Sequence, residues 1–73
     1  MRVHTLASPH TAGDIRLMAE DGPYGVPVEW KQLRELKAGD GVVLTSVDEV
    51  VFVGDVTSLD PAGADDRAYL LLR

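Results

Sequence analysis

Two valine-rich segments, residues 41–47 and 50–59, constrain the fold of this 73-residue chain more than any other feature. Valine and threonine recur in both, and these β-branched residues suit the half-buried surface of a pleated sheet. Only Asp48 and Glu49 separate the two segments, and so short a connection joins neighbouring strands through a tight turn. The pattern therefore predicts an antiparallel hairpin, with Gly54 marking a bulge or a sharp bend in its second strand.

Three further segments alternate between polar and apolar residues, which is the period of a strand with one buried face. They are residues 2–6, 15–19 and 67–72. Residues near Gly25 are expected to be extended, because prolines flank this glycine on either side. About five short strands in a chain of this length favour a mostly β fold, a small curled or barrel-like antiparallel sheet that leaves few exposed edges.

One short helix is predicted over residues 29–37. Trp30, Leu33 and Leu36 recur at a three-residue spacing, which places them along one side of a helix. Gly39 is the expected left-handed residue that ends it. So short a helix is not stable alone, and its apolar side is expected to pack on the sheet. The residues predicted to be buried are Trp30, Leu33, Leu36, Val43, Phe52, Val56, Leu70 and Leu72.

Charge and composition bear on compartment and partners. The net charge of −5 lies in the second half of the chain, because residues 1–37 hold five basic and five acidic side chains. A negative field repels nucleic acid and anionic membranes. The sequence contains no cysteine for a disulfide or a thiolate metal site, and its longest apolar runs, residues 50–53 and 68–72, are too short to cross a bilayer. We therefore expect residues 1–73 to form a single small cytoplasmic domain that does not bind membranes.

Candidates for metal binding are few. His4 and His10 flank a proline break and, with an aspartate, could bind zinc; the favoured interpretation is two solvated imidazoles. The acidic residues of the segment 60–66 could collect calcium, but their spacing does not match an EF-hand loop. An acidic surface turn is the favoured interpretation of that segment.

Candidates for catalysis are equally few. Asp40 and Asp55 could form a carboxylate pair, although Asp40 more simply caps a turn by accepting backbone amides. The sequence contains neither a recognisable nucleophile motif nor a phosphate-binding glycine motif. These observations predict a protein that is not an enzyme and needs no cofactor.

The densest positive charge lies on the predicted helix. Lys31, Arg34 and Lys37 recur every third residue beside the apolar stripe. They form either a solvated helix face or a contact for phosphate or for an acidic partner. In the second case Trp30 or Tyr24 could add a stacking surface.

A further pattern combines the segment Leu36-Lys37-Ala38-Gly39-Asp40 with the predicted strands that follow at 42–44, 51–58 and 69–73. This part of the chain resembles the PUA-like superfamily, especially its ASCH and EVE branches. The approach segment Tyr24-Gly25-Val26-Pro27 extends the resemblance to about residues 24–73. It implies a small barrel that binds nucleic acid or a nucleotide. The sequence lacks the paired aromatic residues with which such domains enclose a modified base.

Two functions are therefore predicted for a non-enzymatic binding module. A protein-interaction or assembly domain, including self-association, is favoured by the acidity of the chain. A PUA-like nucleic-acid or nucleotide binding domain, favoured by the motif, is the alternative. A domain this small buries only roughly 60% of its unfolded surface, so a partner could supply the missing apolar burial.

Overall fold

A curled, five-stranded mixed sheet organises the protein in a computed structural model, which describes residues 2–59 and 66–73. The sheet has the strand order β1-β3-β4-β5-β2. In chain order the elements are β1 (Val3–Ala7), α1 (Ala12–Glu20), β2 (Tyr24–Pro27), α2 (Trp30–Leu33), β3 (Gly41–Thr45), β4 (Val51–Leu59) and β5 (Arg67–Leu72). The mostly β prediction is thus confirmed, whereas the acidic residues Asp60 and Asp65 lie outside the described residues.

The predicted hairpin is present. β3 and β4 pair antiparallel, with Val43 opposite Val53. The turn between them is closed by the backbone amide of Ser46, which donates to the carbonyl of Val50 at 2.9 Å. Glu49 adopts a φ of 64° in this turn, which is the left-handed conformation that tight connections require.

Gly54 has a different role from the predicted bulge. The register shift between β4 and β5 lies between Val56 and Ser58, a few residues further along. At Gly54 the two strands approach so closely that an added Cβ would lie 2.6 Å from the carbonyl oxygen of Leu71. The glycine is required there by the spacing between strands rather than by a bend.

The strand predicted over residues 15–19 is wrong, because this segment belongs to α1. The Thr11 side chain caps the helix by accepting the amide of Asp14 at 3.3 Å. Ile15 is fully buried, whereas Leu17 is 64% exposed. The apolar residues that alternate in the sequence therefore lie on different sides of a helix.

The sheet also departs from the expected all-antiparallel arrangement. β1 pairs with β3 in parallel, with His4 opposite Val42, and α1, β2 and α2 lie in the connection between them. The segment around Gly25, expected to be merely extended, forms the edge strand β2 and pairs antiparallel with β5. Over residues 2–59 and 66–73 the fold thus has the predicted number of strands but two helices instead of one.

The second helix is shorter than the predicted 29–37. α2 ends at Leu33, and the chain continues in tight turns in which the amide of Leu36 donates to the carbonyl of Leu33 at 3.3 Å. Gly39 adopts the expected positive φ, 94°. Neither helix in the described ranges is long and apolar enough to span a membrane.

Most of the predicted core packs inward, but Trp30 and Val43 do not. Val43 lies on the side of β3 opposite to the buried Val42 and Leu44. The buried cluster lies on the concave side of the sheet. It contains residues from all five strands together with Ile15 and Leu36. Of the predicted core residues, Leu36, Val56 and Leu70 are buried, and Leu33, Val43, Phe52 and Leu72 are partly buried. Trp30 is 66% exposed, and no residue of the one-turn helix that it begins is buried.

Candidate functional site

The exposed indole of Trp30 is the most distinctive feature of the surface. The guanidinium carbon of Arg34 lies 4.9 Å from the centroid of its ring. Such a cation–π contact contributes about 0.5–1 kcal/mol at an exposed site. It orders two long side chains side by side, so that a flat apolar ring and a positive charge are presented together.

An open pocket of about 500 Å³ adjoins this pair and is lined by Lys31, Arg34 and Glu35. Two cations and one carboxylate give the pocket a net positive charge, in contrast to the acidity of the whole chain. We refer to Trp30, Lys31 and Arg34 as the α2 surface.

Lys37 does not line this pocket. It follows the tight turns after α2, and its backbone amide donates to Oδ2 of Asp40 at 3.2 Å. The regular three-residue spacing predicted from the sequence assumes a continuous helix, and α2 ends too early to maintain it. The structure therefore brings together two of the three predicted cations.

The α2 surface is attached to the edge of the sheet. The side-chain amide of Gln32 donates to the carbonyl of Thr5 in β1 at 3.0 Å. This contact occupies an outward-facing carbonyl of the edge strand β1 and links α2 to it.

Tyr24, the second residue predicted to stack on a ligand, is only 1% exposed. Its hydroxyl lies 2.6 Å from Oγ of Ser8 and 2.7 Å from Nδ1 of His10. The amide of His10 also donates to Ser8 Oγ at 3.0 Å. The ring of Tyr24 thus has no exposed face for a base, and its hydroxyl satisfies a polar network in the interior.

A second polar contact in the interior joins His4 to Asp40, with Nε2 2.8 Å from Oδ2. Both side chains are buried. This hydrogen bond from His4 is the largest of several effects that lower the pKa of Asp40 below its usual value. Asp55, the other member of the predicted carboxylate pair, instead binds Arg73 through both oxygens at 3.0 and 2.8 Å, so the two carboxylates serve separate partners.

The two histidines are therefore not solvated imidazoles. His4 bonds to a carboxylate and His10 to a phenol, in two different clusters. Over residues 2–59 and 66–73 no group of three potential metal ligands is found. Both imidazoles serve to satisfy polar groups of the fold.

Asp48 forms a third polar contact, which connects the hairpin turn to α1. Its Oδ1 accepts the hydroxyl of Ser46 at 2.6 Å and the amide of Ala12 at 3.0 Å. The pKa of Asp48 is lowered chiefly by the hydrogen bond from the hydroxyl of Ser46, and next by that from the amide of Ala12. The carboxylate thereby satisfies an amide at the start of the helix, which has no partner within the helix itself.

These polar clusters were largely hidden in the sequence. The alternation of residues 2–6 does place His4 on the same side as Leu6, which is the buried side. No sequence pattern, however, identifies Asp40 as its partner, because the pairing depends on the parallel alignment of β1 with β3.

Comparison with known proteins assigns no family, since no family model, no curated protein and no solved structure matches the chain. The resemblance to PUA-like domains stays a prediction. Function is therefore argued from the surfaces of the molecule.

Proposed function

We propose that the protein is a non-enzymatic interaction module whose α2 surface binds an acidic segment of a partner protein. The observation that carries this proposal is the 66% exposed indole of Trp30 with Arg34 stacked on it. Tryptophan and arginine are the residues that most often dominate the energy of protein interfaces. The adjoining pocket, with Lys31, gives the same surface a preference for carboxylates.

The energetics favour a weak, charge-dependent complex. Burying the exposed part of an indole removes roughly 150 Å² from water and stabilises a complex by about 4 kcal/mol. Association itself costs about 4–15 kcal/mol in lost freedom of motion. The indole alone therefore does not hold a partner, and ion pairs to Lys31 and Arg34 are needed to complete the interaction.

Nucleic-acid binding is the second candidate, because an exposed indole beside two cations also suits base stacking and phosphate contact. Two properties of the chain make it the weaker one. Tyr24 is buried and adds no second stacking ring, and the net charge of −5 repels a polyanion of high charge density. A short acidic peptide meets less of this repulsion. The cytoplasmic location stays a prediction.

Trp30 provides a direct test, since it is the only tryptophan in the chain and its fluorescence reports on this surface alone. The probe is a peptide of about 12 residues made of glutamate with leucine at every third position. We expect it to change Trp30 emission saturably at low salt. Arg34→Glu should abolish the change.

The matched control is Arg2→Glu, which makes the same change in charge at another exposed position. It should leave the titration within about twofold of the parent, because Arg2 is not among the residues that line the pocket. Equal losses in both variants would show a nonspecific charge effect. Tighter binding of an oligothymidylate of similar length than of the peptide would support the nucleic-acid alternative instead.

A further inference from the structure

The face of the sheet that points away from the core is largely apolar. Four of its aliphatic side chains are about half or more exposed: Val3 by 69%, Val51 by 55%, Val53 by 49% and Leu71 by 56%. We call this side of β1, β3, β4 and β5 the outer face. Exposed aliphatic side chains are ordinary one at a time, whereas a contiguous group marks an interaction surface.

The strand register places Val51 and Val53 side by side along β4 and puts Val3 and Leu71 at the two ends of one row. Val53 lies opposite Val43, which in turn lies opposite Thr5. The flanking rows run in the same direction across the sheet and consist of Ala7, Thr45 and Val51 on one side and Val3, Gly41, Asp55 and Leu71 on the other. The outer face is therefore a continuous surface three rows deep.

Within these three rows the charges cancel, while Arg67, on the same side of β5, lies beyond the rows. Asp55 and Arg73 form a two-pronged ion pair, with distances of 3.0 and 2.8 Å from one guanidinium nitrogen to the two carboxylate oxygens. The chain as a whole carries −5, so two copies repel each other in most orientations. The outer face is a surface on which like copies meet without an unpaired charge on either side.

We infer that the outer face is the contact surface for a second copy of this chain. The core lies on the concave side of the sheet, so the outer face is convex, and two copies meet most closely at its central row, around Val43 and Val53. The α2 surface does not suit the same contact, because two copies of a positively charged pocket repel each other. The inference is independent of the function proposed for α2.

The available area sets the strength of the contact. Four strands about 4.8 Å apart and three rows about 7 Å apart give at most roughly 400 Å² per copy, or about 800 Å² in total, because the rim of a convex face does not touch its partner. Stable interfaces bury at least about 1,200 Å², and weak transient ones less. We therefore expect a dimer in rapid exchange, with a Kd between about 10 μM and 1 mM.

Sedimentation across a wide concentration range tests the inference. The mass of the full chain should rise from that of one copy at about 1 μM to that of two copies toward about 1 mM. Val53→Glu, at the centre of the outer face, should weaken the dimer by at least about 100-fold, since it buries two unpaired carboxylates. A mass of one copy at every concentration would overturn the inference.

Leu17→Glu is the matched control, because Leu17 is similarly exposed but lies on α1. It adds the same charge and should leave the Kd within about threefold of the parent. If Leu17→Glu weakens association as much as Val53→Glu, the outer face is not the contact surface. If Val53→Glu leaves association unchanged, the inference is equally wrong.

Because Val53→Glu could also destabilise β4, the double variant Val51→Thr/Val53→Thr provides a second measurement. Threonine keeps the β-branched shape but makes the surface polar. We expect at least a tenfold rise in Kd, with circular dichroism and melting temperature close to the parent. An unchanged Kd in this folded variant overturns the inference.

Discussion

Nε2 of His4 lies 2.8 Å from Oδ2 of Asp40, although 36 residues separate them in the chain. Asp40 directly precedes β3, and the next amide, that of Gly41, donates to the carbonyl of Arg2 at 2.9 Å. The buried pair therefore joins β1 to β3 at one end of their parallel alignment. Because such a parallel pair has no tight turn to set its register, a specific polar contact of this kind helps to fix it.

Acid should destabilise the protein partly through this pair. The pKa of Asp40 is lowered in the folded state from an ordinary value of 3.8, chiefly by the hydrogen bond from His4. A lowered pKa contributes stability that is present above pH 3.8 and is lost as the pH falls through the folded-state value. The urea midpoint of the parent should therefore fall below about pH 4.

Asp40→Asn should make this dependence on pH shallower while lowering stability at neutral pH. Asp48, whose pKa is lowered too, contributes in the same range, so the slope should not vanish. Glu20→Gln, a change at an exposed position of α1, is the control and should retain the parental slope. An unchanged slope in Asp40→Asn would show that the pair is not linked to folding.

Local patterns predicted the hairpin well, because two segments separated only by Asp48 and Glu49 can be joined only by a tight turn. The alternation in β5 also predicted its buried side correctly, since Leu70 is buried and Leu72 is partly buried. The parallel pairing of β1 was not predictable in this way, since it depends on contacts between residues far apart in the chain.

At the candidate site, sequence reasoning grouped Lys31, Arg34 and Lys37 on one helix face. The structure places Lys31 and Arg34 together on an exposed surface, without Lys37. Trp30 was assigned both to the core and to a stacking surface, and its exposure follows from the early end of α2, which propensities alone do not define. Tyr24 was assigned only to a stacking surface, whereas its ring is buried, because nothing in the sequence shows that Ser8 and His10 surround its hydroxyl.

Two substitutions in α1 distinguish a helix from the strand predicted there. Ile15→Ala should lower the free energy of unfolding by about 2–5 kcal/mol, because the side chain is fully buried. Leu17→Ala should change it by less than about 0.5 kcal/mol, since this side chain is mostly exposed. In a strand the two residues would share one face, and the two losses would be similar. Urea denaturation of both variants measures the difference.

Two glycines should respond in opposite directions to the same change. Gly54→Ala should destabilise by about 1–3 kcal/mol, because the new Cβ would lie 2.6 Å from the backbone oxygen of Leu71. Gly13, within α1, has no atom within 4 Å of an added Cβ. Gly13→Ala should stabilise by about 0.5–1 kcal/mol through helix propensity. Thermal unfolding of both variants checks the sign; a neutral Gly54→Ala would contradict the close approach of β4 and β5.

The hydroxyl of Tyr24 should matter more than an exposed hydroxyl. Tyr24→Phe removes the partner of His10 Nδ1 and one partner of Ser8 Oγ, and should cost about 1–3 kcal/mol. Thr57→Val is the control, because its hydroxyl bonds to the carbonyl of Tyr69 on the exposed side of β4 and should cost less than about 0.5 kcal/mol. Equal losses in chemical denaturation would show that the interior network adds nothing.

Salt should act in opposite directions on the two surfaces of this protein. Raising NaCl from about 0.1 M to about 1 M shortens the Debye length from about 10 Å to about 3 Å. Binding of the acidic peptide to Lys31 and Arg34 should weaken, because opposite charges are screened. Dimerisation through the outer face should strengthen instead, since the repulsion between two chains of −5 is screened while the apolar contact around Val53 remains.

Peptide titration by Trp30 fluorescence and sedimentation of the protein alone, each at both salt concentrations, measure the two effects separately. A peptide affinity that does not fall would contradict charge recognition at α2, whereas a dimer that dissociates as salt rises would show that ion pairs, and not the apolar outer face, hold the copies together.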